Sequence, residues 1–548
     1  TPGFKAMYIT TLGINPPGGE HPIPRRSWVG DHVGPGTVDV TPNGIFIGST
    51  MTEGMMMAVR VATDKSAVLW QREQFYEGGR LTRIASHDHS TYLLHPTGKL
   101  RKADALTGTI QATWNVAIEG EPPSDIDVNS KSICLSYPEH KKVVWIDPNN
   151  GKQVAEATVN GVRLVALPSL SAQTVLAVNG DNKLVRCAPG KAPIELATPP
   201  GVITALDYNI NRQELWLLMD SHKVVLLGDK LHVKNTFGKK PRPLGIYDGS
   251  LLAGASDIAA DRQGGFWITE PFNPPRRVAH FDSHGKLQTE WFGGMSFYIS
   301  AAFDPEDPSI VYGVASEGYL HKYRIDFTTG KWTIEACYHM GRIGDGLYPN
   351  SGGFRVVRHG DDTYIYNRIV PAVLRLDPGT GTAVPVAVAG RVLNSGRTFV
   401  QFAGSGEGGY PKPWVKAARH HGFQDLATVP GLYSWADTNG DGKFDPSEFK
   451  FYDKARGVSF HNPGDFLQNG DYVGTTNVNE PQAIVHVPVG QMEGPNNDAP
   501  RWDWSKATLR GDISANAYGY GSPRGVSVSP SGNMHVTYQA GIMIHAHG

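Results

Sequence analysis

One recurring unit limits what this chain can fold into more than any other feature: an apolar residue, then Asp, Asn, Ser or Thr, a turn, then a β-rich strand. It reads VDVTPNGIFIGS from Val38, DIDVNSKSICLSY from Asp125 and TALDYNINRQELWLLM from Thr204. It continues as SDIAADRQGGFWITE from Ser256, SAAFDPEDPSIVYGVA from Ser300, FRVVRHGDDTYIYNR from Phe354 and RGVSVSPSGNMHVTYQ from Arg524. Aligning the last strand residue before each turn picks out Val40, Val128, Leu206, Ala260, Phe303, Val357 and Val528, with weaker copies near Ala85, Leu167 and Phe460. The early spacing is about 40 residues and the later spacing longer, which is the period of a four-stranded propeller blade.

A second signature follows each unit: strand, Asp-containing turn with Gly, strand. Examples are LRKADALTGTIQATW, VVWIDPNNGKQVAEA, VAHFDSHGKLQTEWF, HKYRIDFTTGKWTIEA and VLRLDPGTGTAVPVAV. The Asp side chain caps the turn and the Gly accepts a positive φ. Two hairpins make one antiparallel four-stranded sheet, which buries its faces only by packing on neighbouring sheets. No helical periodicity of useful length is present. The fold class predicted is therefore all-β, a β-propeller of about ten or eleven repeat units.

That number exceeds the four to eight blades of most propellers. Two arrangements satisfy it. Either two propellers lie in tandem, residues 1–240 regular and 241–548 with longer insertions, divided near the segment Gly238 to Gly254; or residues 1–548 form one large ring. The stretch Phe4 to Gly13 is placed to close a ring against the last blade and hide its edge.

DIAADRQGGFWITE with RVAHFDSHGKLQTEWFGG, and the closing PRGVSVSPSGNMHVTYQAGIMIHAHG, resemble NHL-type propeller blades. ADALTGTIQATW resembles the hairpin of quinoprotein-type propellers, in which Thr-Gly precedes a Trp. The resemblance covers most of the chain but is architectural, and both blade types host many functions.

The sharpest local motif is DTNGDGKFDPSE, Asp437 to Glu448. It matches the twelve-residue calcium loop: Asp437, Asn439 and Asp441 at places 1, 3 and 5, Gly442 at the sharp turn, and the Lys443 carbonyl at 7. Asp445 falls at 9 and Glu448, able to bind through both oxygens, at 12. Ca2+ is thus the predicted cofactor. The flanks depart from an EF-hand: GLYSW before the loop is β-like, and Pro446 followed by EFKFYD promises no long exit helix. This resembles calcium loops set between strands in extracellular proteins.

Composition narrows the partners. The net charge is −1, so a general nucleic-acid or anionic-membrane binder is disfavoured. No apolar run approaches the roughly 20 residues of a membrane helix, so no membrane span is expected. Cys134, Cys187 and Cys337 are far apart and lie in or beside apolar runs, as buried thiols do. A chain that begins at Thr1 with no charged-then-apolar leader fits a mature secreted protein or a trimmed one; with the calcium loop, the expected location is extracellular or periplasmic.

Substrate-binding candidates lie off the regular repeat. The insertion Gly404 to Gln424 breaks the blade period, and its Tyr410 and Trp414 offer rings for stacking on sugars. Arg355 offers a guanidinium for a carboxylate, and His461 sits at a turn, where propellers place binding residues. The pairs His87/His89 and His545/His547 have the spacing to face one side of a strand, and His420 and His421 are adjacent. No GxSxG, HExxH or P-loop is present. Whether the chain is an enzyme stays open. The leading expectation is a secreted calcium-binding propeller that binds or cleaves carbohydrate, as a lyase or hydrolase, with polysaccharide or an extracellular protein as partner. The alternatives are a non-catalytic extracellular scaffold that pairs with a partner or with itself, and a quinoprotein-like oxidoreductase.

Overall fold

In a computed structural model the chain is a β-propeller protein that divides into two compact units. The first comprises Thr1–Pro243 and Asp248–Phe297, the second Leu244–Tyr247 and Tyr298–Gly548. The structure describes residues 35–50, 56–62, 68–74, 83–170, 173–271, 275–292, 298–315, 318–340, 353–368, 371–391, 407–453, 458–459, 464–476, 483–510, 523–529 and 531–538.

The described residues of the first unit make six four-stranded antiparallel sheets, spanning 35–74, 83–115, 125–158, 164–197, 203–237 and 257–292. Their first strands, Pro35–Thr41, Arg83–His87, Asp125–Val128, Leu164–Ala166, Ile203–Asn209 and Asp257–Ala260, pack one on the next, and the sixth packs on the first. The result is a closed six-bladed ring. Each blade runs inner to outer in chain order, so no strand is exchanged between blades.

The hydrophobic pattern follows from that geometry. A middle strand is covered on both faces by neighbouring blades, and Ile133–Tyr137 and Glu214–Met219 are buried throughout. The fourth strand meets water most: Gln153–Thr158 is largely exposed. The core is consequently split among the interfaces. Phe46 and Trp70 meet Ile84 and Leu93 between blades one and two, and Trp145 meets Val165 and Val175 between three and four. Trp216 meets Phe266 between five and six, and Val38 meets Trp267 where six closes on one.

At the rim, an aromatic of one fourth strand seats on a glycine in the turn of the next blade. Trp70 lies over Gly108, and its Nε1 donates to the Ala105 carbonyl at 2.9 Å. Trp114 lies over Gly151 and Phe237 over Gly285. Gly108 has φ +68°, and a Cβ there falls 2.7 Å from the Trp70 ring, so two independent constraints select glycine. The Thr107-Gly108 and Trp114 pattern that resembles quinoprotein blades serves here as a blade-to-blade dock.

The structure draws the division of the chain later than the expected boundary at residue 240. Blade six belongs to the first unit because it packs on blades five and one, and its fully buried Glu270 and Arg277 tie down parts of the segment before it. Arg277 donates to the Leu251 carbonyl at 2.6 Å and the Gly249 carbonyl at 2.8 Å; Arg242 reaches Glu270 at 3.2 Å.

The second unit is less regular. Four-stranded meanders span 298–339 and 354–391, joined by one parallel bridge between His339 and Thr382. Thr382–Arg391 also pairs with Leu432–Ala436, which pairs with Phe449–Tyr452. A five-stranded sheet lies within 458–510, and Pro523–Val528 pairs with Met534–Tyr538. One large core serves most of these elements. Contrary to the sequence expectation, the insertion carries a nine-residue helix, Lys412–His420. Pro413 lies in its first turn, where a missing N–H costs nothing, and Trp414, Ala417 and Ala418 form the buried stripe. The Phe4 to Gly13 stretch lies outside the described residues.

Candidate functional site

The axis of the first unit carries a repeated carboxylate device. Asp39, Asp127 and Asp207 occupy the same register on blades one, three and five. Each accepts a hydrogen bond from the next residue's own N–H, Val40, Val128 and Tyr208, at 2.7 Å. Each also accepts one from the following blade. Asp39 takes the Ser86 N–H, Asp127 the Leu167 N–H at 2.5 Å, and Asp207 the Ala260 N–H at 2.7 Å. This register makes Tyr208, not Leu206, the counterpart of Val40 and Val128, a two-residue correction to the sequence alignment.

A second tier of charges lies beside them. Asp257 accepts from the Val38 N–H at 2.9 Å and the Thr37 hydroxyl at 2.7 Å, closing blade six on blade one. Asp125 accepts from the Val165 N–H at 2.8 Å, and Arg83 bridges Asp125 and Asp257. These side chains, with Val38, Ile84, Val165 and Leu206, line one axial cavity. Burial pushes Asp39 up to about 7, with the Asp207 charge adding to it. Burial raises Asp127 well above the ordinary carboxylate range, with Asp207 and Asp39 adding, and burial raises Asp207 as well. The sequence repeat held the signal for this device: an Asp between apolar neighbours, as in VDV, IDV and LDY, on an inner strand.

The acidic turn of the second unit joins the hairpin strands Leu432–Ala436 and Phe449–Tyr452. Asp437 and Glu448, its first and last members, are buried. Asp437 accepts from the Gly440, Asp441 and Gly442 N–H groups at 2.8, 3.1 and 2.9 Å. Asn439 accepts from Asp441 N–H at 2.9 Å, and Asp441 from Lys443 N–H at 2.8 Å. Glu448 reaches back across the loop to the Thr438 N–H at 2.8 Å and the Trp435 indole at 2.9 Å. Gly442, at φ +69°, passes so close to Val384 that a Cβ there would clash. Burial raises Asp437 above its usual range, and the Asp441 charge adds to it. The Asp437, Asp441 and Glu448 carboxylates and the Asn439 amide oxygen thus close the turn on its own backbone. As they lie, the carboxylates answer backbone N–H groups, and among the described residues no three His, Cys, Asp or Glu side chains converge as a metal ligand set.

The remaining candidates part from expectation. Tyr410 and Trp414 stack on each other with centroids 4.9 Å apart, inside the core; Trp414 is 1% exposed, so neither ring is free for a sugar. Arg355 pairs with Asp465 at 3.1 Å and donates to the Phe466 and Val528 carbonyls at 2.9 and 3.2 Å. Asp465 in turn accepts from the Phe466 and Val528 N–H groups at 2.9 and 2.7 Å, so Arg355 belongs to the second unit's version of the carboxylate device. His87 lies 3.3 Å from Asp88, and His420 and His421 pack edge to face on each other. His461, His545 and His547 lie outside the described residues. Cys134, Cys187 and Cys337 are buried, as the sequence led us to expect. Among the described residues no helix is long and apolar enough to cross a membrane.

A six-bladed ring, a second set of blade-like sheets and two sets of carboxylates define a β-propeller protein. No protein-family model and no curated protein sequence matches it. Solved structures similar to it include the C-terminal WD40 domain of Sif2, at 12% identity and TM-score 0.32 over 61% of this chain and 92% of that one. The β-propeller domain of Myceliophteria thermophila Cps50 (Swd1) shows 10% identity and TM-score 0.29 over 53% of this chain and 96% of that one. Kluyvelomyces marxianus Hsv2 shows 11% and 0.31, over 53% and 92%.

Proposed function

We propose that the chain is a calcium-stabilised extracellular propeller that works by binding, as a scaffold for a protein or polysaccharide partner, rather than by catalysis. The observation that carries this reading is the Asp437–Glu448 turn. Asp437, Asn439, Asp441, the Lys443 carbonyl, Asp445 and Glu448 supply oxygen donors at the alternating places a hard cation requires, around a glycine that tolerates no side chain. The ion would offset the negative charge of the carboxylates buried there and pin the hairpin to its neighbours, which include the Arg501 side chain on the Glu448 carbonyl at 2.8 Å. Loops of this kind in extracellular modules bind at roughly 0.1–1 mM, so they fill where calcium is millimolar.

A binding role is favoured over cleavage by the state of the charged groups. Asp39, Asp127 and Asp207 hold backbone N–H groups of the next blade, Arg83 holds Asp125 and Asp257, and Arg355 holds Asp465, which favours a structural use of these groups. Calorimetric titration with calcium, beside melting with calcium and with EDTA, tests the reading. Saturable binding with a raised melting temperature is expected. No heat and identical melting curves would sink it. A polysaccharide panel followed for bound ligand and for product separates binding from cleavage.

A further inference from the structure

We propose that the axial carboxylates of the six-bladed unit form a pH-dependent latch. With protons held among Asp39, Asp127 and Asp207, the three blade-to-blade bonds they make stay closed, and loss of those protons loosens the ring.

The geometry carries the argument. The three side chains join blades one to two, three to four and five to six at one register, so alternate interfaces of the ring depend on them. Among the described residues they face one cavity with two more carboxylates, Asp125 and Asp257, and a single cation, Arg83. Arg83 is bonded to Asp125 and Asp257, and its field reaches Asp207. The inner strand Leu164–Ala166 adds only apolar residues, and the Cys134 thiol lies near Asp127 on its own blade. Five carboxylates against one guanidinium leave a buried excess of negative charge. A buried carboxylate without a cation relieves that excess by taking a proton.

The direction of the pH effect follows. The unfolded side chain titrates near 3.8 and folded Asp39 near 7, and Asp127 and Asp207 are raised too. Between those values the folded ring holds protons that the unfolded chain has released. The stability this uptake contributes is fully present below about pH 4 and is lost as pH rises through about 7 and above. Each proton involved changes the opening equilibrium about tenfold per pH unit.

Peptide-resolved hydrogen exchange on the full chain tests the latch. After correction for intrinsic rates, protection of Pro35–Thr41, Asp125–Val128 and Ile203–Asn209 should fall steadily from about pH 5 to about pH 8. Replacing Asp39, Asp127 and Asp207 by Asn should flatten that slope, whereas Glu156→Gln, an exposed change, should keep it. Protection that is constant or rises with pH in the wild type would overturn the proposal, as would an unchanged slope in the triple variant. Should the triple variant not fold, infrared spectra of the wild type and of Asp39→Asn decide. A protonated-carboxyl band at about pH 6 that weakens in the variant supports the latch, and no such band contradicts it.

Discussion

The two units solve one packing problem in different ways. In the first, six similar blades divide the core among six interfaces, and three kinds of bond recur at those interfaces: aromatic on aliphatic, aromatic on glycine, and carboxylate on backbone N–H. In the second, sheets merge through the His339–Thr382 bridge, one core serves many elements, and a helix and an acidic turn are inserted. The contrast teaches that repetition and insertion distribute charge differently. The repeating unit spends its acids on holding itself closed. The irregular unit uses Asp465 in that way too, and closes its acidic turn with Asp437 and Glu448.

The comparison breaks most readily at an interface core. Trp216 is fully buried, stacks on Phe237 and lies tilted against Phe266. Trp216→Ala should cost about 3–5 kcal/mol in denaturant unfolding, with exchange rising across Ile203–Asn209 and Asp257–Ala260. Stability unchanged within about 1 kcal/mol would deny that the core is divided among interfaces. Calcium comes next. At about a hundredfold its dissociation constant it should stabilise by about 2.7 kcal/mol, and Asp441→Ala should remove that gain in parallel melts. A gain of the same size in the variant would place calcium elsewhere.

Gly108→Ala tests the rim dock. It combines a strained φ with contact on Trp70, and a loss of about 1–3 kcal/mol is expected in the same unfolding assay. The smallest effect should come from Val233→Thr. Val233 is 62% exposed on a fourth strand, and the change should stay within about 0.5 kcal/mol. A larger loss would mean that this rim strand is covered in solution.

The blade architecture was legible because it rests on local rules: turn residues at fixed offsets and apolar runs of strand length. The acidic turn was legible for the same reason, since twelve consecutive residues hold all its donors. The axial device was half visible. Its Asp residues stood in the repeat, but Asp39 and Ser86 are 47 residues apart, and only the ring places one against the other. Tyr410 and Trp414 misled because an aromatic pair in an insertion looks the same whether it faces solvent or core. The Ala417–Ala418 spacing behind Trp414 is what turns it inward, on a helix too short to raise a periodic signal. The division near residue 240 followed the change in repeat spacing, whereas that segment is shared: Gly245–Ile246 pairs with Ala336 and Cys337 of the second unit, and the buried Arg277 of blade six holds the Gly249 and Leu251 carbonyls.

We assign calcium to the acidic turn of the second unit, apart from the axial carboxylates of the first. Peptide-resolved hydrogen exchange of the full chain, with calcium and with EDTA at one pH, tests that assignment most directly. Exchange should slow with calcium across Leu432–Ala436 and Phe449–Tyr452 and stay unchanged in the inner strands of the six-bladed ring. Exchange in the acidic turn that ignores calcium, or protection that shifts equally in both units, would contradict the assignment.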